Sequence, residues 1–175
     1  MISLCFKKGD LPDMLIFLVT VFTFAIGLLV LSFVIPSIAD GLYGAGLNES
    51  SGGYDAIEEL SELGANGMQK GFFFLFVGLV MSTMITSFLT KTHPIFLFMY
   101  IFFLGVTVFL GGYLGNAFEQ FASSPVLVDT LGSQGLISAV MQNIVIITLI
   151  VGALSMIIVF AKFSSFFGGP KQGAL

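Results

Sequence analysis

Few side chains in this 175-residue chain carry chemistry, and they are scattered. Cys5 is the only cysteine and His93 the only histidine. That excludes an internal disulfide, a cysteine metal cluster, a multi-histidine metal site and a bis-histidine haem. His93 stands between Lys91 and Pro94 and is the one side chain that titrates near neutrality. Its functional reading is a pH sensor or, with Lys91, a lipid-headgroup contact. The simpler reading is a turn residue at the membrane–water interface, and we adopt it for both. Glu119 follows Asn116 by three residues, and a carboxylate buried in a bilayer marks a proton or ion path. Here the apolar segment is complete before Glu119, which puts it at the interface. Asn116, Glu119 and Gln120 are then expected to bond a neighbouring helix or loop. Gln142 and Asn143 open the last apolar segment. Amides at that depth bond across helices for about 0.6 kcal/mol each, and a conducting pore is the alternative. No H-E-x-x-H, G-x-S-x-G or paired intramembrane aspartate occurs, and no nucleophile–base pair is visible. The expectation is a protein that is not an enzyme and takes no cofactor or metal.

Composition says what solvent these residues live in. Hydrophobic residues make up 57% of the chain and charged residues 9%. Soluble domains average about 45–50% and about 25%. The mean hydropathy is +1.06, which excludes a disordered tail and points to an integral membrane protein. The six basic residues (Lys7, Lys8, Lys70, Lys91, Lys162 and Lys171) are all lysines, and the net charge is −4. Without arginine forks or a positive balance, nucleic acid is not an expected partner.

A bilayer core about 30 Å thick takes about 20 apolar residues in helix. Four stretches qualify: residues 14–35, 72–89, 95–117 and 137–161. The runs are continuous and lack the alternation of a membrane strand. The predicted fold is therefore all-α, one polytopic domain over residues 1–175 with four transmembrane helices. Pro36 is expected to close the first span and Pro94 to open the third. Residues 36–71 form the largest extramembrane piece, an acidic loop. Within it, Ile57, Leu60 and Leu63 recur at helical spacing, with Asp55 as expected N-cap and Gly64 as expected stop. This predicts a short acidic amphipathic helix. Lys7, Lys8 and the following apolar run, up to Ser37-Ile38-Ala39, resemble a signal peptide, but the run is too long for one.

Charge sets the expected orientation. With four spans, Lys7, Lys8, Lys91, Lys162 and Lys171 share one side and only Lys70 lies on the other. Asp40, Glu49, Asp55, Glu58, Glu59, Glu62, Glu119 and Asp129 fall opposite those five lysines, while Asp10 and Asp13 lie with them. By the positive-inside rule both termini are expected on the cytoplasmic side. Small residues at four-residue spacing mark expected packing faces: Gly111 and Gly115, Ser82 and Thr86, Thr148 and Gly152. Three spans with such faces favour a compact bundle or a homo- or hetero-oligomer.

The run Thr92-His93-Pro94-Ile95-Phe96-Leu97-Phe98-Met99-Tyr100-Ile101-Phe102-Phe103 leads into Gly115-Asn116-Ala117-Phe118-Glu119-Gln120. This segment resembles a pattern in small integral membrane proteins of tailless, membrane-containing bacterial and archaeal viruses. There a span opened by His-Pro ends in Asn-Ala-aromatic-Glu. Gly115 departs from the small polar residue of that pattern. The resemblance implies a structural virion protein in the bilayer beneath a capsid, with membrane or capsid proteins as partners and no catalytic residues.

The residues alone lead to a structural or assembly protein in a membrane; the resemblance implies a viral internal membrane, and a prokaryotic cytoplasmic membrane is the other expected setting. Asp55, Glu58, Glu59 and Glu62 would dock the partner. Two alternatives stay open. One is an accessory subunit of a large cellular membrane complex. The other is a holin-like or channel-forming protein, with Gln142, Asn143, Ser82, Thr83 and Thr86 along the pore.

Overall fold

The computed structural model describes residues 13–89 and 94–167. Seven α-helices follow one another: α1 Asp13–Gly44, α2 Ser51–Glu62, α3 Met68–Leu89, α4 Pro94–Ala122, α5 Val128–Ser133, α6 Gly135–Gln142 and α7 Ile144–Phe167. A short 3-10 turn, Leu47–Glu49, precedes α2, and a π-turn, Leu63–Gly67, joins α2 to α3. Four helical stretches are long and apolar enough to cross a membrane. The protein is all-α and polytopic.

The bundle is arranged for an apolar solvent. Its outward faces carry large apolar side chains such as Phe74, Phe98 and Phe109, the last 78% exposed. Its interior holds hydroxyls: Ser32, Thr83, Thr107, Thr148 and Ser155 are buried. Lipid tails are as apolar as a leucine core, so burying apolar groups gives no drive for helices to associate there. Small and weakly polar residues go inside because they let backbones approach. Thr83 and Thr107 satisfy their hydroxyls locally, donating to the carbonyls of Leu79 and Phe103 at 2.8 Å.

The helices do not lie side by side in chain order. α1 packs on α3 and α4, and α7 packs on the same two from the other side. The ring therefore runs α1–α3–α7–α4, which sets the consecutive helices α3 and α4 on one diagonal. An apolar cluster with Phe17, Leu18, Leu29, Phe72 and Ile144 ties the ring together.

Several expected boundaries move. The first span does not stop at Pro36, because α1 continues for 32 residues to Gly44. Proline is tolerated inside a membrane helix when neighbours re-satisfy the loosened turn, and Ser37 Oγ donates to the Phe33 carbonyl at 3.1 Å. Asp55 does not cap α2. Ser50 does, accepting from the Gly53 amide, and α2 starts four residues earlier than Asp55. Gly64 does not end the helix, since the chain passes through the π-turn into α3. The predicted fourth span is two helices broken at Asn143, and the segment between the predicted third and fourth spans is largely the end of α4 and α5.

At 1.5 Å per residue α1 is about 48 Å long, well beyond a core of about 30 Å. Its last turns carry α2, with Tyr43 and Tyr54 meeting edge to face at 6.4 Å. The return from α1 needs a left-handed residue, and Gly46 supplies it with φ 77°. Gly64 sits where the π-turn presses on α1. A methyl placed there would lie 3.0 Å from Ile35 Cγ2 and 3.1 Å from Pro36 Cδ. Gly64→Val is expected to cost about 1–3 kcal/mol by overpacking, read as a lower thermal midpoint by circular dichroism in detergent.

Candidate functional site

Two features at the extramembrane end stand out: an acidic helix face and a polar cavity. The acidic face belongs to α2. Ile57 is buried against the rest of the protein, while Asp55, Glu58, Glu59 and Glu62 are all exposed. Their spacing puts them on one side of the helix. Because Ser50 is the cap, the first turn holds no acid, so these carboxylates lie beyond the turn where the helix dipole favours them. None forms an ion pair among the described residues. Like charges three and four apart destabilise a helix by about 0.2–0.5 kcal/mol per pair. The face thus opposes the folding of its own helix.

Gln134, between α5 and α6, anchors this end and was not among the residues the sequence singled out. It is fully buried. Its Nε2 donates to the Ala65 carbonyl at 2.9 Å and to the Gly64 carbonyl at 3.3 Å. A π-turn distorts the regular carbonyl ladder, and a buried glutamine amide supplies donors for it. No local signal marks this pairing, because its partners lie about 70 residues apart. A second long-range bond, from Tyr100 Oη to the Gly152 carbonyl at 3.2 Å, ties α4 to α7.

The polar cavity lies between α4 and the α5–α7 segment, with a volume of about 510 Å³. It brings together three of the four predicted interhelical polar residues: Asn116, Glu119 and Gln142. The expected bonds across helices do not form. Gln142 Nε2 donates to Ser138 Oγ at 3.1 Å on its own helix. Asn143 Nδ2 donates to the Ala139 carbonyl at 2.8 Å, also one turn back, at the break between α6 and α7. Asn116 and Glu119 make no side-chain hydrogen bond among the described residues. Local back-bonding engages one donor of each of the first two amides, and the cavity separates the other two residues from any partner among the described residues.

The small-residue faces divide. Gly111, Gly115, Thr148 and Gly152 all lie on the α4–α7 seam. A methyl on Gly115 would come within 3.1 Å of Ile144 Cγ2, and one on Gly152 would run into Leu104 of α4. Thr148 is fully buried. Ser82, by contrast, is exposed and Thr86 half-buried; Thr86 Oγ1 donates to the Ser82 backbone carbonyl at 2.9 Å on its own helix. The buried hydroxyl of α3 is Thr83. Lys91 and His93, expected at an interfacial turn, lie outside the described residues, as do Cys5, Lys7, Lys8 and Lys171.

Four apolar spans, an outward apolar surface and a hydroxyl-bearing interior define an integral membrane protein. No family model, curated protein or solved structure matches the chain.

Proposed function

We propose that this chain is a non-enzymatic structural or assembly protein that anchors a partner protein at a lipid bilayer. The observation that carries the reading is the acidic face of α2. Four exposed carboxylates repel one another there with no cation paired to them among the described residues. A partner surface bearing lysines or arginines would relieve that repulsion and gain charge-assisted hydrogen bonds. The platform under the face suits a docking role, since α2 rests on the last turns of α1 and Gln134 bonds the π-turn to the α5–α6 segment.

The lysine distribution supports both termini on the cytoplasmic, positive side, with the acidic end opposite. The resemblance of Thr92–Gln120 to membrane proteins of tailless viruses favours the internal membrane of a virion, with a capsid or spike component as partner.

The test is carbodiimide crosslinking of carboxylates to amines in the native membrane or particle. The expected result is one abundant shell or membrane protein linked through α2. Glu58→Lys combined with Glu59→Lys is expected to release that partner, most visibly at low salt where surface charges are least screened. Co-purification with a redox-cofactor complex, or a steady current in planar bilayers, would overturn the reading in favour of an accessory subunit or a channel.

A further inference from the structure

We propose that the cavity between α4 and the α5–α7 segment binds one phosphatidylethanolamine molecule by its headgroup, with the lipid ammonium on the Glu119 carboxylate. The volume, about 510 Å³, falls in the range of small-ligand sites, about 300–1,000 Å³. Four polar groups converge on it: Asn116, Glu119, Ser138 and Gln142.

Charge selects the ligand class. Glu119 is the one ionisable residue on the lining, and it has no ion-pair partner among the described residues. A carboxylate accepts only, so the group that matches it is a cationic donor. The amides supply the opposite end of the match. Asn116 has both N–H donors unused, and Gln142 spends one on Ser138 Oγ and keeps the other. A ligand with an ammonium and, a few bonds away, a phosphate satisfies both sets.

Depth selects a lipid rather than a soluble zwitterion. Counted from Pro94, about 20 residues of α4 fill the bilayer core. Asn116 and Glu119 therefore sit just past its edge, where headgroups lie. Below them the lining turns apolar through Gly112, Ile144 and Val145. Tyr113, 71% exposed, stands at the same height as an interfacial aromatic. A glycerol backbone and the first methylenes of its chains can continue down this wall into the bilayer. An anionic lipid such as phosphatidylglycerol would instead bring its phosphate beside Glu119 with no ammonium to compensate.

The inference does not depend on the docking reading of α2, which lies on another face. It is tested on the full chain in detergent by native mass spectrometry with added lipids. One phosphatidylethanolamine per chain is expected to bind saturably, about tenfold more tightly than phosphatidylglycerol, as the loss of one charge-assisted contact implies. Glu119→Gln, an isosteric change at an exposed position, is expected to abolish that preference, whereas Glu58→Gln on α2 leaves it intact. Equal binding of phosphatidylglycerol or phosphatidylcholine, or a preference that survives Glu119→Gln, would overturn the proposal. Displacement of the lipid by millimolar soluble phosphoethanolamine would also overturn it, by showing that the free headgroup suffices.

Discussion

Gln134→Leu lowers the thermal midpoint of the purified protein, with a cost of about 1–3 kcal/mol from two carbonyls that lose a buried donor. Gln134 is fully buried, and its Nε2 reaches both Gly64 and Ala65 across the extramembrane end. Leucine also deletes Oε1, which is buried without a partner, and that offsets part of the loss. Gln134→Glu is therefore the sharper variant, because it keeps the shape and replaces the donor by an acceptor facing two carbonyl oxygens. A buried carboxylate among acceptors is driven toward its protonated form, so its folded pKa rises above the unfolded value of about 4.3. The folded state then binds the proton more tightly than the unfolded state. The variant is most stable below about pH 4, where the acid O–H can still donate to one carbonyl, and loses stability as pH rises. Melts of variant and parent by circular dichroism at pH 4 and pH 8 check the sign. A difference that stays flat, or shrinks with rising pH, would refute the role given to Gln134.

The second large effect lies in the membrane. Gly152 of α7 faces α4, and a methyl there would run into Leu104 and come within 3.2 Å of Met14 Cε. The same residue's carbonyl accepts from Tyr100 Oη. Gly152→Val is expected to push the two helices apart, stretch that bond and cost about 1–3 kcal/mol. Leu104→Ala opens the space the valine needs. The double variant is then less destabilised than the sum of the singles, with a coupling of about 0.5–3 kcal/mol. Gly105 is the control: nothing lies within 4 Å of a methyl there, so Gly105→Ala is neutral or slightly stabilising through helix propensity. Additive effects at positions 104 and 152 in thermal or denaturant unfolding would refute the contact.

Both effects depend on partners distant in the chain, and this marks the boundary of what the sequence carries. The number of spans, their approximate positions and the all-α class follow from the sequence alone. Transfer of a side chain into lipid is a property of that side chain, so a run of about 20 apolar residues is enough. Along α4 and α7 the spaced glycines sit on the seam, but they face Ile144, Val145 and Leu104 rather than one another. Signals that compete with a neighbour misled. Pro36 stops a helix in water, but inside α1 it is carried through, with Ser37 bonding back to Phe33. Gly64 reads as a helix stop, yet it is small because Ile35 and Pro36 press against it.

What only the tertiary structure decided is pairing. The order α1–α3–α7–α4 around the ring, the donors from Gln134 to the π-turn and the gathering of Asn116, Glu119 and Gln142 at one cavity are properties of two or more segments at once. Hydropathy assigns each segment its solvent without naming its neighbour. In lipid, where apolar contact gives no preference among neighbours, the choice falls to close packing and a few hydrogen bonds. Those depend on which faces meet, and that is settled only when the helices assemble.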